Sequence, residues 1–174
     1  MTATRFYLFI MLLLAGIYVF FKPMNIAQQQ PGEIAQLELN DFTVKEFDTE
    51  HLKTVLSGSF GKRFTDRYEV EDINFTDATR EHKQNITAKS GLYKSGIVTL
   101  KGAVLFKRDD GVVFSSEHIV YDHNSTIARA IGPFKLRRGL ESFSGVDLVY
   151  NNTNGNIAAK AINGIYILKS REPI

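Results

Sequence analysis

Hydrophobic and polar residues alternate in short runs along most of the chain after Leu37, as in Tyr68–Phe75 and Val98–Phe106. Alternation with a period of two is typical of strands with one buried face. Short polar segments separate the runs, and Asn154-Gly155 has the residue types that accept the positive φ of a hairpin turn. The pattern predicts an all-β, antiparallel domain.

Two stretches depart from the alternation. The sequence HLKTVL within Asp48–Ser57 could form a helical turn, and Gly58–Lys62 (GSFGK) is interpreted as a turn. The second stretch lacks the G-x-x-x-x-G-K-[ST] spacing of a phosphate-binding loop.

The strand pattern recurs at a nearly constant interval. Tyr93, Tyr121 and Tyr150 follow one another at intervals of 28 and 29 residues. Each tyrosine ends an outgoing strand and is followed by a polar tip, a return strand and a glycine. A period of this size is typical of a structural unit used several times. Stacked hairpins predict a sandwich or jelly roll, or a short β-solenoid.

An unbroken apolar run, Phe6–Phe21, lies near the N-terminus. As a helix it would span about 24 Å, slightly less than the ~30 Å hydrocarbon core, and flanking Arg5 and Lys22 can extend to the interfaces. A cleaved signal peptide is the alternative, but bulky residues follow the run. We therefore predict a transmembrane anchor at 1–24, a linker at 25–36 and an outer domain at 37–170.

Composition removes several classes of function. The chain has no cysteine, which excludes disulfides, thiolate metal sites and a cysteine nucleophile, and its net charge of +2 is too small to indicate nucleic acid. His118, Asp122 and His123 lie in one segment without a second pair at ligand spacing, so a solvated turn is favoured over a metal site. No nucleophile–base motif is present. We predict no catalytic site, metal or cofactor, and a protein that is not an enzyme.

Two further motifs have a possible functional interpretation. The basic stretch Phe134–Arg138 (FKLRR) could meet phosphates at the mouth of a cavity, or could be a solvated strand end. Four N-x-[ST] triplets occur, and those at Asn74 and Asn124 have an aspartate two residues upstream. That longer pattern resembles the acceptor of bacterial oligosaccharyltransferases and makes these two residues possible glycosylation sites.

Three segments together carry a resemblance to a known family: NITAKSGLYKSGIVTLKGAV (85–104), FSSEHIVYDHNSTIARAIGP (114–133) and FSGVDLVYNNTNGNIAAKAINGIY (143–166). With the N-terminal span and the absence of cysteine, the chain resembles the LptC family of single-span inner-membrane proteins. The resemblance covers most of the chain, but residues 48–84 follow no pattern that aligns.

The resemblance implies an antiparallel β-jelly roll in the periplasm of a Gram-negative bacterium, open along one side. It implies a protein that receives lipopolysaccharide from an inner-membrane ABC transporter, formed by LptB, LptF and LptG, and passes it to the periplasmic protein LptA. An apolar groove between parted sheets would suit acyl chains. The candidate lipid-binding residues are the repeated apolar positions Ile86, Val98, Leu100, Val104, Phe106, Phe114, Ile119, Tyr121, Ile127, Phe143, Leu148 and Tyr150.

The resemblance also implies where partners bind. The N-terminal edge, about Leu37–Phe47, would face the transporter, and the C-terminal edge, about Ala161–Leu168, would face LptA. Unpaired strand edges can pair with another protein's edge. The candidate partner-binding residues are Gly132, Ala161, Ile165 and Ile167.

Two other classes of function stay open from the residues alone. The chain could be an anchored scaffold of the cell envelope whose aromatic side chains, such as Phe106 and Phe143, fill the interior completely. An anchored hydrolase that uses His118 or His123 is the least favoured, because no nucleophile–base pair is visible.

Overall fold

The computed structural model describes residues 34–49 and 51–167, which form nine strands in a single antiparallel sheet. Each strand pairs with its neighbours in the sequence, so the order is β1 to β9. The prediction of an all-β antiparallel domain is confirmed. The strands are β1 (Leu37–Phe47), β2 (Leu52–Arg63), β3 (Arg67–Asp77), β4 (Gln84–Lys94), β5 (Ile97–Arg108), β6 (Val112–Asp122), β7 (Ile127–Arg138), β8 (Glu141–Asn151) and β9 (Ile157–Ile165).

The predicted anchor at 1–24 lies outside the described residues. Within the described ranges, no helix has the length and apolar character needed to cross a membrane. The predicted repeats appear as hairpins: β4 and β5 meet at a turn where Ser95 and Gly96 both have positive φ, at 50° and 82°. Two positive φ angles match the type I′ geometry that suits the twist of paired strands.

The two segments that departed from the alternation are strand rather than helix or turn. β2 begins at Leu52 and continues through Gly58–Lys62, so both earlier interpretations are wrong. The glycines allow close packing: a Cβ on Gly61 would lie 2.8 Å from Cε1 of Phe42, and one on Gly58 would lie 2.7 Å from the carbonyl oxygen of Glu71. Glycine here lets an aromatic ring lie against the strand, and it does not mark a turn.

Irregularities near the middle of the strands bend the sheet. The pairing register shifts near mid-strand in each successive pair from β4–β5 to β8–β9. A β-bulge bends its strand and increases the local twist. The sheet therefore wraps around one face, called the inner face below, as in a jelly roll. Positive φ angles occur within six strands, at Asp41, Asp72, Ala103, Gly132, Asp147 and Ala161.

Carboxylates on neighbouring strands bind the amides at two of these bends. The Ala103 amide donates to Oε2 of Glu117 over 3.1 Å, and the Gly132 amide donates to Oδ1 of Asp147 over 3.0 Å. Lys160 lies 3.2 Å from the other oxygen of Asp147. The Gly132 amide, followed by Lys160, holds the pKa of Asp147 below its usual range. The contacts link the bends of β7, β8 and β9.

Two apolar clusters stabilise the inner face. The first contains Ile73, Ala88, Leu100 and Val104, and the second contains Ala130, Phe134 and Leu148. Ile119 of β6 packs against both clusters. The inner face is therefore one continuous apolar surface along the sheet.

Replacing Gly132 by alanine is expected to lower stability. Gly132 has a φ of +85°, and nothing lies within 4 Å of the position its Cβ would occupy. The cost therefore comes from backbone strain, about 1–2 kcal/mol, and not from a clash. Urea unfolding of the purified protein measures it. The reciprocal control is Ala161→Gly, at a φ of 47° in β9, where we expect no comparable loss; equal unfolding of Gly132→Ala and wild type would contradict the assignment.

Candidate functional site

A row of apolar side chains crosses the whole inner face. Directly paired residues on antiparallel strands point to the same side of the sheet. Following the pairing from strand to strand gives one position in each of the nine strands, and eight of the nine are large apolar residues. This row contains Val44, Leu56, Phe75, Ile86, Phe106, Phe114, Leu136, Phe143 and Gly164.

Two further rows of the inner face lie beyond the bends. One contains small and aliphatic residues: Leu39, Gly61, Val70, Gly91, Leu100, Ile119, Ala130 and Leu148. The other lies at the strand ends and is rich in tyrosine: Leu37, Arg63, Tyr68, Tyr93, Val98, Tyr121, Ala128, Tyr150 and Ile157. Tyrosine has an apolar ring and a polar tip, which suits a boundary between an apolar surface and water.

The opposite strand ends carry charged groups. Asp110, in the turn between β5 and β6, accepts two hydrogen bonds of 2.7 Å from the Arg108 guanidinium, and Arg138 lies 3.3 Å away. The bonds from Arg108 hold the pKa of Asp110 well below its usual range. Arg138 and Glu141 are paired with each other, each two residues beyond a member of the apolar row. The inner face is thus apolar in its middle and polar at both ends of its strands.

Much of this apolar surface is not sealed from solvent. Val104 is only 1% exposed, and Leu100 and Leu148 are buried. By contrast, Phe106 and Phe143 are only half-buried. A partly accessible, continuous apolar lining with polar ends is an arrangement that can bind the chains of an amphipathic lipid.

The structure brings eleven of the twelve predicted lipid-binding residues to the inner face. Ile127 is the exception, since it is paired with Asp122 and Asn151, while its neighbour Ala128 is paired with Tyr121 and Tyr150. Successive residues of a strand point to opposite faces, so Ile127 lies on the outer face. The length of the tip between β6 and β7 sets this register, and alternation alone did not reveal it.

The two edges of the sheet are unpaired within the described part of the chain and carry exposed apolar side chains. On β1, Phe47 is 64% exposed, and on β9, Ile165 is 64% exposed. Among the predicted partner-binding residues, Ala161 and Ile165 belong to β9, and Ile167 follows it. A strand edge with free backbone groups can pair with a further strand.

Gly132, the fourth predicted partner-binding residue, is not at an edge. It lies in β7, with β8 between it and β9. Its amide is linked to the edge strand through Asp147 and Lys160. These contacts connect Gly132 to the edge strand through the bend of the sheet.

The two predicted glycosylation residues have different surroundings. Asn74 is in the middle of β3, where its Oδ1 accepts a bond of 2.7 Å from Asn85. Asn124 is exposed at the tip between β6 and β7, and its backbone N–H donates to Oδ1 of Asp122 over 2.9 Å. Glycosylation of either residue stays a prediction.

Within the described ranges, no group of three or more histidine or acidic residues is placed to hold a metal ion. The sequence pattern did not reveal that Glu117 and Asp147 accept hydrogen bonds from the backbone amides at the bends. The signal that could have found Asp147 is its residue type, because aspartate accepts a left-handed backbone more readily than most residues.

Comparison with known proteins shows the fold. The structure is similar to a crystal structure of LptH from Pseudomonas aeruginosa, described as the LptA-homologous periplasmic component of the lipopolysaccharide transport device. The TM-score is 0.51 at 14% sequence identity, and the match covers 76% of this chain and 94% of the other. No protein-family model matches the chain, and no curated protein is similar to it in sequence.

Proposed function

We propose that this protein binds lipopolysaccharide on its inner face and takes part in its transport across the periplasm, without catalysing a reaction. The observation that carries the proposal is the row across the sheet that is apolar in eight of the nine strands and stays partly accessible. Acyl chains would lie along this row, and the charged strand ends would stay beside the hydrated head group. The likeness to LptH in fold supports the same role.

The finer proposal is an LptC-like bridge. The N-terminal segment would anchor the protein in the inner membrane, β1 would face the transporter formed by LptB, LptF and LptG, and β9 would face an LptA-like protein. The exposed apolar residues on both edges support it, since edge strands of this kind can extend a sheet into a neighbouring domain. Lipid could then pass along one continuous inner face.

The test uses a photo-crosslinking amino acid at Phe106 or Leu148, with Lys107 as the matched control. Phe106 and Leu148 belong to the inner face, while Lys107 is the exposed residue next to Phe106 and points the other way. In growing cells we expect lipopolysaccharide adducts at the first two positions and none at Lys107. Equal labelling at all three positions would contradict specific lipid binding at the apolar row of the inner face, which is called the trough below.

A folded, membrane-bound protein without adducts at either inner position would favour the alternative, an anchored envelope scaffold. In that role the edges alone would act, through strand pairing with partner proteins. The exposed apolar side chains of β1 and β9 are the observation that favours it.

A further inference from the structure

Strands β6 to β9 form a concavity of about 480 Å³ at the strand ends that include the basic stretch, and most of its lining residues belong to the outer face. Its polar lining belongs to register positions that alternate with the apolar inner row. Lys135 is paired with Ser115 on one side and Ser144 on the other, and Arg137 is paired with Ser142. Asn163 of β9 is paired with Ser144 and completes the polar surface.

The charges in this concavity are not neutralised. Its lining contains no carboxylate. Neither Lys135 nor Arg137 forms an ion pair or a side-chain hydrogen bond with another residue in the described ranges. Nearby Arg108 and Arg138 differ, since both are within ion-pair distance of Asp110. Lys135 and Arg137 are therefore the cations of the lining that are available to an anion, and exposed Lys107, which is paired with the lining residue Val113, lies beside them.

The spacing suits one phosphate group. Lys135 and Arg137 are two residues apart on the same face of β7, which separates their Cα atoms by about 7 Å. Both side chains are long enough to converge on one anion from these positions. Ammonium and guanidinium groups form strong, charge-assisted hydrogen bonds with phosphate oxygens.

The remaining lining suits a sugar attached to that phosphate. The hydroxyls of Ser115, Ser142 and Ser144 and the amide of Asn163 both donate and accept hydrogen bonds, as sugar hydroxyls do. Val113 and Ile165 also line the concavity and can contact the C–H face of a pyranose ring, and Leu136, Phe143 and Gly164 of the inner row complete the lining. A volume of this size is within the usual range for a small-molecule site.

We propose that this outer concavity binds a phosphorylated saccharide, with Lys135 and Arg137 on the phosphate and the serine and asparagine side chains on the sugar. The polar and charged residues of the site belong to the face opposite the apolar row, and the proposal does not depend on the proposed lipid role. The same chemistry is found in a free sugar phosphate and in the head group of lipopolysaccharide. The experiment separates these two sources.

The test is isothermal titration calorimetry of the full chain in a non-ionic polyoxyethylene detergent. The probes are glucose 6-phosphate, glucose, inorganic phosphate and purified lipopolysaccharide. The variant is K135Q/R137Q, and the matched control is K101Q/R129Q, which removes the same charge from exposed outer-face positions elsewhere. The melting temperature of each variant checks that the fold is kept.

We expect K135Q/R137Q to weaken binding of a phosphorylated probe by at least about tenfold, while K101Q/R129Q leaves it unchanged. Loss with glucose 6-phosphate identifies a free sugar phosphate as a ligand, and loss with lipopolysaccharide alone identifies the head group. The proposal is overturned if neither probe distinguishes the two variants. It is also overturned if inorganic phosphate binds as tightly as the phosphorylated saccharides. Crosslinking at Phe106 and Leu148 is read independently, so failure here does not bear on the trough.

Discussion

Replacing Val104 by aspartate is expected to abolish the fold of the domain. Val104 is 1% exposed and packs in the first core cluster with Ile73, Ala88 and Leu100. An unpaired carboxyl group in such a position costs several kcal/mol even in its protonated, neutral form. That cost is comparable with the whole stability of a domain, about 5–15 kcal/mol.

Far-UV circular dichroism and urea unfolding of the full chain in detergent measure this loss. The matched control is Val120→Asp, because Val120 is paired with Thr99 and Arg129 on the outer face. There the new carboxylate can reach water, so we expect the β-sheet signal to remain. Similar destabilisation by both substitutions would mean that the two faces are assigned incorrectly.

Replacing Phe106 by aspartate is expected to leave the fold intact and to weaken the binding of lipopolysaccharide. Phe106 is half-buried, in the apolar row between Ile86 and Phe114. In the lipid-free protein an aspartate at this position can stay hydrated. A bound acyl chain would displace the water from its carboxylate. A cost of about 3 kcal/mol for the desolvated group corresponds to a loss of lipopolysaccharide affinity of roughly 100-fold.

The neighbouring substitution Leu105→Asp is the control, since Leu105 is paired with Thr87 and Ser115 on the outer face. Lipopolysaccharide co-purified from cells, normalised to protein, gives the comparison. If Phe106→Asp retains as much lipid as Leu105→Asp while both remain folded, the inner face is not the binding surface.

The alternation of residues 85–166 was sufficient to predict the hairpins, because each hairpin there is short and its turn residues have a clear conformational reason. The region 48–84 was harder. At Gly58 and Gly61 the residue type indicates a turn, but the glycines serve the packing of Phe42 from the neighbouring strand. A contact across strands of this kind leaves no signature within its own segment.

The register set by the β6–β7 tip explains the other difference between sequence and structure. A shift of one residue moves a side chain to the other face. Ile127 was assigned to the trough although its position after the β6–β7 tip places it outside. The basic stretch Phe134–Arg138 was recognised as a possible phosphate contact, but the rest of the concavity was not predicted, because its residues come from four strands and converge only when the register is known.

The strictly sequential order of the strands has a consequence for folding and for evolution. Among the nine described strands, no pairing requires a long loop to close, so the contact order is low for an all-β domain. Folding can therefore begin at any hairpin and proceed to its neighbours. An added or deleted hairpin would change the length of the sheet without creating a new type of interface. Duplication of one gene segment, of the size indicated by the tyrosine interval, is therefore enough to lengthen such a protein.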